Sequence, residues 1–287
     1  MGKHVVLCPN PFRDPGLKLT VEAKRLLEQS GERVLVSPIY NIGKETPVIP
    51  EDLETIPLLN AIEGASLLVS FGGDGTILST ARAAVHLNVP ILGVNLGRKG
   101  FMAELEYNEL HRLVDAAKGD FTPDIRMMLT VELVRGGRVI HKDSALNDAA
   151  VRSTIHTIQL EAMGDGHTIT RITGDGIIVA TPTGSTAYSM SAGGPLVEPT
   201  ASNIILTPIC AHALYARSFV LAPDRFVTVR LGNLAGKSAI LTVDGTEPIE
   251  LETDDQVNVS KSEYSTLYAH VSNKSFYDIA YEKLGER

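Results

Sequence analysis

Ala65-Ser66-Leu67-Leu68-Val69-Ser70-Phe71-Gly72-Gly73-Asp74-Gly75-Thr76 runs from an apolar segment into a glycine-rich turn that holds one carboxylate. Its run 65–71 is short, apolar and bounded by glycine, which predicts a buried strand. The run 76–87 carries apolar residues at helical spacing, and Thr76 is placed to cap its start. Val89-Pro90-Ile91-Leu92-Gly93-Val94-Asn95 predicts the next strand. Together they form a βαβ unit whose glycine turn lies where parallel sheets bind ligands. Gly72, Gly73, Gly75 and Thr76 can bring backbone N–H groups to phosphate oxygens, and the helix start adds partial positive charge.

An acidic residue is out of character in such a turn, because a carboxylate repels phosphate. Asp74 therefore points to a hydroxyl proton or a metal ion, or else to simple capping of the helix. GGDGT is much rarer than a lone GxGxxG, yet several kinase families share it.

Outward from this unit, residues 1–105 alternate strand and helix signals: a strand at 4–8, a helix near 15–30, a strand at 32–36 and a connector at 47–57. That is an α/β domain with a mostly parallel sheet. A helix near 107–118 follows and Gly119 ends it. From about 122 the texture becomes β-rich. Gly136-Gly137 between two apolar runs signals a hairpin, and Gly164-Asp165-Gly166 a second hairpin tip. Further strands are predicted at 157–162, 176–180, 204–207, 225–231, 238–243 and 256–259. The expected domains are 1–121, a β-rich 122–262, and a tail 263–287, helical over 275–284, that packs on the first domain.

The formal net charge of −8 argues against a broad nucleic-acid or anionic-membrane surface, so an anionic substrate needs local help. No stretch reaches the roughly 18 apolar residues of a membrane span. The N-terminal run reads as a first strand rather than a signal peptide, and the expected location is the cytoplasm. Cys8 and Cys210 are expected to be reduced thiols. The eight histidines show no metal-ligand spacing.

A second constellation spans 174–195. A strand runs into Thr181-Pro182-Thr183-Gly184-Ser185-Thr186-Ala187-Tyr188-Ser189-Met190-Ser191. Clustered hydroxyls and free backbone N–H groups suit a sugar, a phosphate or an amide, and Tyr188 adds an apolar face with a polar tip. A hydroxyl-capped helix start is the plainer alternative. Asn147-Asp148 can read an adenine edge or hold ribose hydroxyls, and equally can form a turn. Val243-Asp244-Gly245 reads first as a turn.

Taken together these motifs resemble the NAD kinase family. Gly72-Gly73-Asp74-Gly75-Thr76 matches its first signature, and Asn95-Leu96-Gly97-Arg98-Lys99-Gly100-Phe101 is similar to its second. Asn147-Asp148 matches its Asn-acid pair, and 175–195 resembles its longest signature. The segment 207–214 and Val243-Asp244-Gly245 resemble the two later ones. Asp148 stands where many members have Glu, Lys99 where an apolar residue is common, Ala211 where Pro is frequent, and Thr246 where Gln is frequent.

The resemblance implies transfer of the γ-phosphoryl group of ATP, or of polyphosphate, to the 2′-hydroxyl of the adenosine ribose of NAD. Asp74 would then be the general base, and a divalent cation, Mg²⁺, would bridge the donor phosphates. Asn147 and Asp148 would hold adenosine, and Asp175 the nicotinamide carboxamide. Gly75, Phe101, Thr183, Thr186, Ala187, Tyr188, Ser189 and Ser191 would complete the NAD pocket. A homodimer or homotetramer is implied, with the β-rich domain as contact surface. The alternative is a GGDGT-type lipid kinase, which needs an apolar entrance that the polar 175–195 segment does not offer.

Overall fold

The computed structural model describes residues 3–40, 47–97, 100–213, 216–272 and 274–285. Met1 and Gly2 of the N-terminal run, the Arg98-Lys99 pair and Leu214 of the quoted motifs lie outside the described residues. The chain divides into two compact units, 1–125 with 266–287, and 126–265.

The first unit is α/β. Strand β1 (His4–Pro9) is followed by α1 (Lys18–Gln29), β2 (Val34–Val36), α2 (Leu58–Ala61), β3 (Ala65–Gly72), α3 (Asp74–Ala84) and β4 (Ile91–Asn95). The four strands pair in parallel in the order β2-β1-β3-β4. A short β5 (Leu105–Glu106) adds to β4. The sheet is apolar on both faces because helices cover both. Val5, Leu7, Val69, Phe71, Leu92 and Val94 join Ala23 and Leu27 of α1 in one buried cluster. The helix expected near 107–118 forms as a 3-10 stretch, Tyr107–Arg112, then α4 (Leu113–Ala117). Gly119, at φ +91°, ends it.

The first helical turn after β3 differs from the sequence reading. The helix starts at Asp74 with Gly73 as its cap residue, and Thr76 is not the cap. The Gly73 carbonyl accepts the N–H groups of Thr76 and Ile77 at 2.9 and 3.2 Å. The two glycines allow this early start. A Cβ on Gly72 would lie 2.3 Å from the Thr76 hydroxyl oxygen, so Thr76 folds back onto the strand end instead.

The second unit is a β-sandwich. Its elements are the hairpin β6 (Thr122–Arg135) and β7 (Arg138–Ala145), then β8 (Asp148–Ser153), β9 (Ile158–Gly164), β10 (His167–Gly174), β11 (Gly176–Ala180), α5 (Tyr188–Ser191), β12 (Ile204–Ile209), β13 (Phe219–Leu221), β14 (Val227–Leu231), β15 (Ala239–Val243), β16 (Ile249–Leu251) and the start of β17 (Gln256–His270). One antiparallel sheet runs β13-β12-β11-β8-β15-β16, and β10-β9-β14-β17 form a second antiparallel set. Alternate residues of β8 and β11 face a buried cluster shared by both sheets: Ala149, Val151, Ile177 and Val179 against Leu160, Val229 and Val257. Their other face, Ala150, Ile178 and Ala180, packs under Ala192 and Val197. Positive φ at Gly136 and Gly137, and at Asp165 and Gly166, closes the two expected hairpins.

The last residues of β17 belong to the first unit, where Tyr268 pairs beside Ile91 in parallel. Helix α6 (Phe276–Gly285) follows, also in the first unit. Among the described residues no helix is long and apolar enough to cross a membrane.

Asp14 sets the entry to α1. Its buried carboxylate accepts the N–H groups of Leu19 and Thr20 at 3.1 and 2.9 Å, and the Thr20 hydroxyl at 2.7 Å. Asp14→Ala strips the first turn of its acceptor and should cost about 1–2 kcal/mol, read as a lower urea midpoint with an unchanged m-value.

Candidate active site

In the first unit the chain leaves β1 for β2 on one side and reaches β3 on the other. The carboxyl ends of β1 and β3 are therefore a topological switch point, where open α/β sheets bind ligands. A cavity of about 310 Å³ lies there, lined by Asn10, Arg13, Gly73, Gly75, Thr76 and Ser79 among others. Asn10 ties the two strand ends together. Its N–H donates to the Phe71 carbonyl at 2.9 Å and its side-chain amide to the Thr76 hydroxyl at 3.2 Å. The Thr76 N–H is spent on Gly73. The N–H groups of Asp74 and Gly75, in the first turn of α3, have no carbonyl one turn back to bond, and the helix dipole adds to their pull on an anion. Asn10, Arg13 and Ser79 carry no motif, and only the strand order reveals them.

Asp74 does not cap its own helix. Its carboxylate reaches across to the second glycine segment and accepts the N–H of Phe101 at 2.9 Å and of Met102 at 3.2 Å. A Cβ on Gly100 would lie 1.8 Å from Oδ1 of Asp74, so glycine is required there by contact rather than by φ. A carboxylate offers about four acceptor positions. Two are used to fix its orientation, and the others stay available to a hydroxyl. Phe101 is half-buried beside it.

In the second unit a second carboxylate fixes a second segment. Asp244, at φ +51°, accepts the N–H groups of Leu146, Asn147 and Asp148 at 2.8, 2.8 and 3.0 Å. Its own N–H donates to the Asp148 carbonyl at 2.9 Å. The Thr181 N–H holds the Asn147 carbonyl at 2.9 Å, and the Thr181 hydroxyl donates to the Leu146 carbonyl at 2.5 Å. Gly184 packs so closely that a Cβ would lie 2.0 Å from the Asn147 carbonyl oxygen. Asn147-Asp148 is thus not a free turn, since Asp148 opens β8.

This framework leaves two buried polar atoms, the side-chain oxygen of Asn147 and the Thr183 hydroxyl, without a hydrogen-bond partner among the described residues. Such atoms are costly unless a ligand satisfies them. Asp148 is buried beside them in sequence, and burial first, then the Asp244 charge, pushes its carboxyl up to about 7.

The remaining residues of the 175–195 segment divide. Tyr188 and Ser191 are exposed, Ala187 is half-buried, and the Thr186 hydroxyl donates back to the Thr183 carbonyl at 3.1 Å. Ser189 is buried and shares a 2.9 Å hydroxyl contact with Thr207, under Gly194. Its hydroxyl serves packing. Asp175 is exposed at one end of β11, whereas Thr181 follows the other end. At about 3.3 Å per residue the six steps from Asp175 to Thr181 span some 20 Å along the strand.

Family models describe residues 5–118 as an ATP-NAD kinase N-terminal domain and residues 143–271 as an ATP-NAD kinase C-terminal domain. The chain belongs to the NAD kinase family. An NAD kinase of Acetivibrio thermocellus is 37% identical over 98% of this chain and 96% of its own length. Among solved structures, yeast NADH kinase complexed with NADH matches with a TM-score of 0.85 at 27% identity, covering 100% of this chain and 89% of that one. An NAD kinase from Archaeoglobus fulgidus in complex with ATP matches with a TM-score of 0.73 at 26% identity, covering 98% of both chains. Nothing in these matches supports the lipid-kinase alternative.

Two outcomes follow from the geometry. Gly100→Ala should displace the Asp74 carboxylate by an ångström or more and lower kcat about a hundredfold, with the folded state retained by circular dichroism. Asp148 holds a proton in the folded state that the unfolded chain releases near pH 4. Stability should therefore fall as pH rises from about 4 to 7 and level off above 7. Urea unfolding at pH 5 and pH 8 should show this loss in the parent chain and a smaller one in Asp148→Asn.

Proposed function

We propose that this member of the NAD kinase family transfers the γ-phosphoryl group of ATP to the 2′-hydroxyl of the adenosine ribose of NAD, giving NADP. The observation that carries the reading is the Asp74 carboxylate. It is held rigid by two backbone N–H groups at the start of α3, with acceptor positions to spare. A phosphoryl transfer needs a positioned nucleophile and a place for its proton, and little covalent chemistry from the protein. The 2′-hydroxyl would donate to Asp74 and lose its proton there as the new O–P bond forms and the bond from the γ-phosphorus to the ADP leaving group breaks.

The glycine turn supports the donor half of the reaction. Backbone N–H groups of Asp74 and Gly75 and the side chains of Asn10 and Arg13 suit the phosphates of ATP. Among the described residues no set of three His, Cys, Asp or Glu side chains could hold a metal ion. Mg²⁺ would bind chiefly through the substrate phosphates and keep several waters. When bound it would neutralise part of the donor's charge.

The orphaned Asn147 oxygen suits the amino group of an adenine, and the Thr183 hydroxyl a further polar group of the dinucleotide. Asp148, once ionised, suits ribose hydroxyls. Thr186, Ala187, Tyr188 and Ser191 frame the same segment, while the Ser189 hydroxyl is paired with Thr207. The length of β11 favours the carboxamide being received by the partner subunit's Asp175, which makes a homodimer or homotetramer part of the reading. A cytoplasmic setting belongs to it as well.

The direct test is NADP formation from NAD, ATP and Mg²⁺, followed with an NADP-specific coupled dehydrogenase. Asp74→Asn should lower kcat by at least about a hundredfold, the scale of general-base catalysis, while NAD still binds by titration calorimetry. Near-normal turnover in Asp74→Asn would remove the base assignment. No NADP from folded wild type, with polyphosphate also tried, would remove the acceptor assignment.

A further inference from the structure

Helix α6 places a cation on the ring of Phe101, the residue whose backbone N–H holds Asp74. It starts at Phe276 for a local reason. The Asp278 carboxylate accepts the N–H and hydroxyl of Ser275 at 2.9 and 2.6 Å, and the Asp278 N–H returns to the Ser275 hydroxyl at 3.2 Å. This is a reciprocal cap. The Lys274–Glu282 ion pair, at 3.2 Å, braces the same helix along its side. None of its residues is buried, so core packing does not explain its placement. At its far end the Lys283 ammonium sits 3.9 Å from the centroid of the Phe101 ring. The backbone N–H of that same Phe101 holds Asp74.

The ammonium is left over once its surroundings are paired. Lys283 lines a cleft of about 270 Å³ in the first unit with Gly100, Glu104, Glu106, Glu109 and Arg112 among others. Glu104 is 2.9 Å from His270. Glu106 accepts the Asn95 amide at 3.2 Å, Glu109 contacts Arg112 at 3.5 Å, and Glu282 takes Lys274. Among the described residues Lys283 makes no ion pair of its own. Partial burial lowers its pKa, and the nearby Asp74 charge works in the opposite direction. The ring face supports the cation without using its three N–H donors.

We propose that Lys283 contacts the terminal phosphoryl group of the nucleotide donor and neutralises charge on it during transfer to the hydroxyl bound at Asp74. This rests on the phosphotransferase reading given above and adds a contact to it. The family motifs lie between 72 and 245, so the tail residue is invisible to them. Its chemistry is that of a fixed cation at a transferring phosphoryl group, a role that mutagenesis elsewhere shows to be large. No covalent step involves Lys283. Its ammonium keeps its proton, and the hydroxyl proton goes to Asp74.

The test compares Lys283→Met, Lys283→Arg and the parent enzyme. Methionine keeps a stem on the Phe101 ring and removes only the charge. Affinity for β,γ-imido-ATP should fall about tenfold to a hundredfold in Lys283→Met, the scale of one charged hydrogen bond. Affinity for ADP should change by less than about twofold on the same scale, because ADP lacks the contacted group. Lys283→Arg should recover most of the loss, and kcat should follow the same order with the KM for NAD nearly constant. Equal affinities for β,γ-imido-ATP in Lys283→Met and parent would overturn the proposal, as would an equal loss for both nucleotides. The nucleotide measurement needs no acceptor. A parent enzyme that makes no NADP, yet loses β,γ-imido-ATP in Lys283→Met, would reject NAD as acceptor and keep the Lys283 contact.

Discussion

Everything on the catalytic side of the first unit depends on one contact, the Asp74 carboxylate against the N–H groups of Phe101 and Met102. Two charge-assisted hydrogen bonds fix the carboxylate's direction without neutralising it. The price is geometric. Gly72 must be bare so that Thr76 can fold back, and Gly100 must be bare so that the carboxylate can enter. Those two glycines need no special φ, and substitution would fail at both by collision alone. The motif's glycines are therefore read better as clearance than as flexibility.

The second unit solves a similar problem with the same chemistry. Asp244 turns its carboxylate onto three successive N–H groups and locks 146–148 from one side, while Thr181 locks it from the other. Rigid backbone is what lets the Asn147 oxygen and the Thr183 hydroxyl stay buried and unspent. In a looser segment each would turn to water or to a neighbouring carbonyl. Asp148 carries the cost of this arrangement, since burial next to another acid disfavours its charge. A ribose whose hydroxyls donate to it would offset part of that cost.

Much of this was legible in the sequence because its signals are local. The 65–71 run, the glycine turn and the 89–95 run fall where the periodicity puts them. Gly136-Gly137 and Asp165-Gly166 close hairpins because both positions of each need positive φ. What was hidden depends on non-local packing. Strand β8 has small residues buried on both faces between β11 and β15, so it shows no alternation. Strand β10, with Thr168, Thr170 and Arg171, is too polar to announce itself. Thr76 looked like a cap only because the glycine clearance ahead of it was not visible. Asn10 and Arg13 matter through strand order, and Asp244 through a contact almost a hundred residues away in sequence. Ser189 belonged to a hydroxyl-rich motif, yet its hydroxyl belongs to Thr207.

Charge supplies the last constraint. The chain has a net charge of −8, places a carboxylate in its phosphate turn, and belongs to a family whose substrates are polyanions. Two unit charges 4 Å apart interact by about 1 kcal/mol in water and about 4 kcal/mol near a protein surface. Repulsion between Asp74 and a terminal phosphate is therefore large enough to matter and must be met locally. Part of the answer is the two N–H groups that draw charge density away from the phosphate side of Asp74. Arg13 and the start of α3 would act on the donor from the switch-point side. In the proposal above Lys283 acts from the Phe101 side. A tail helix with no buried residue that nonetheless sets an ammonium over Phe101 fits these terms, because the proposal gives its placement a reason in the electrostatics of the site rather than in the core.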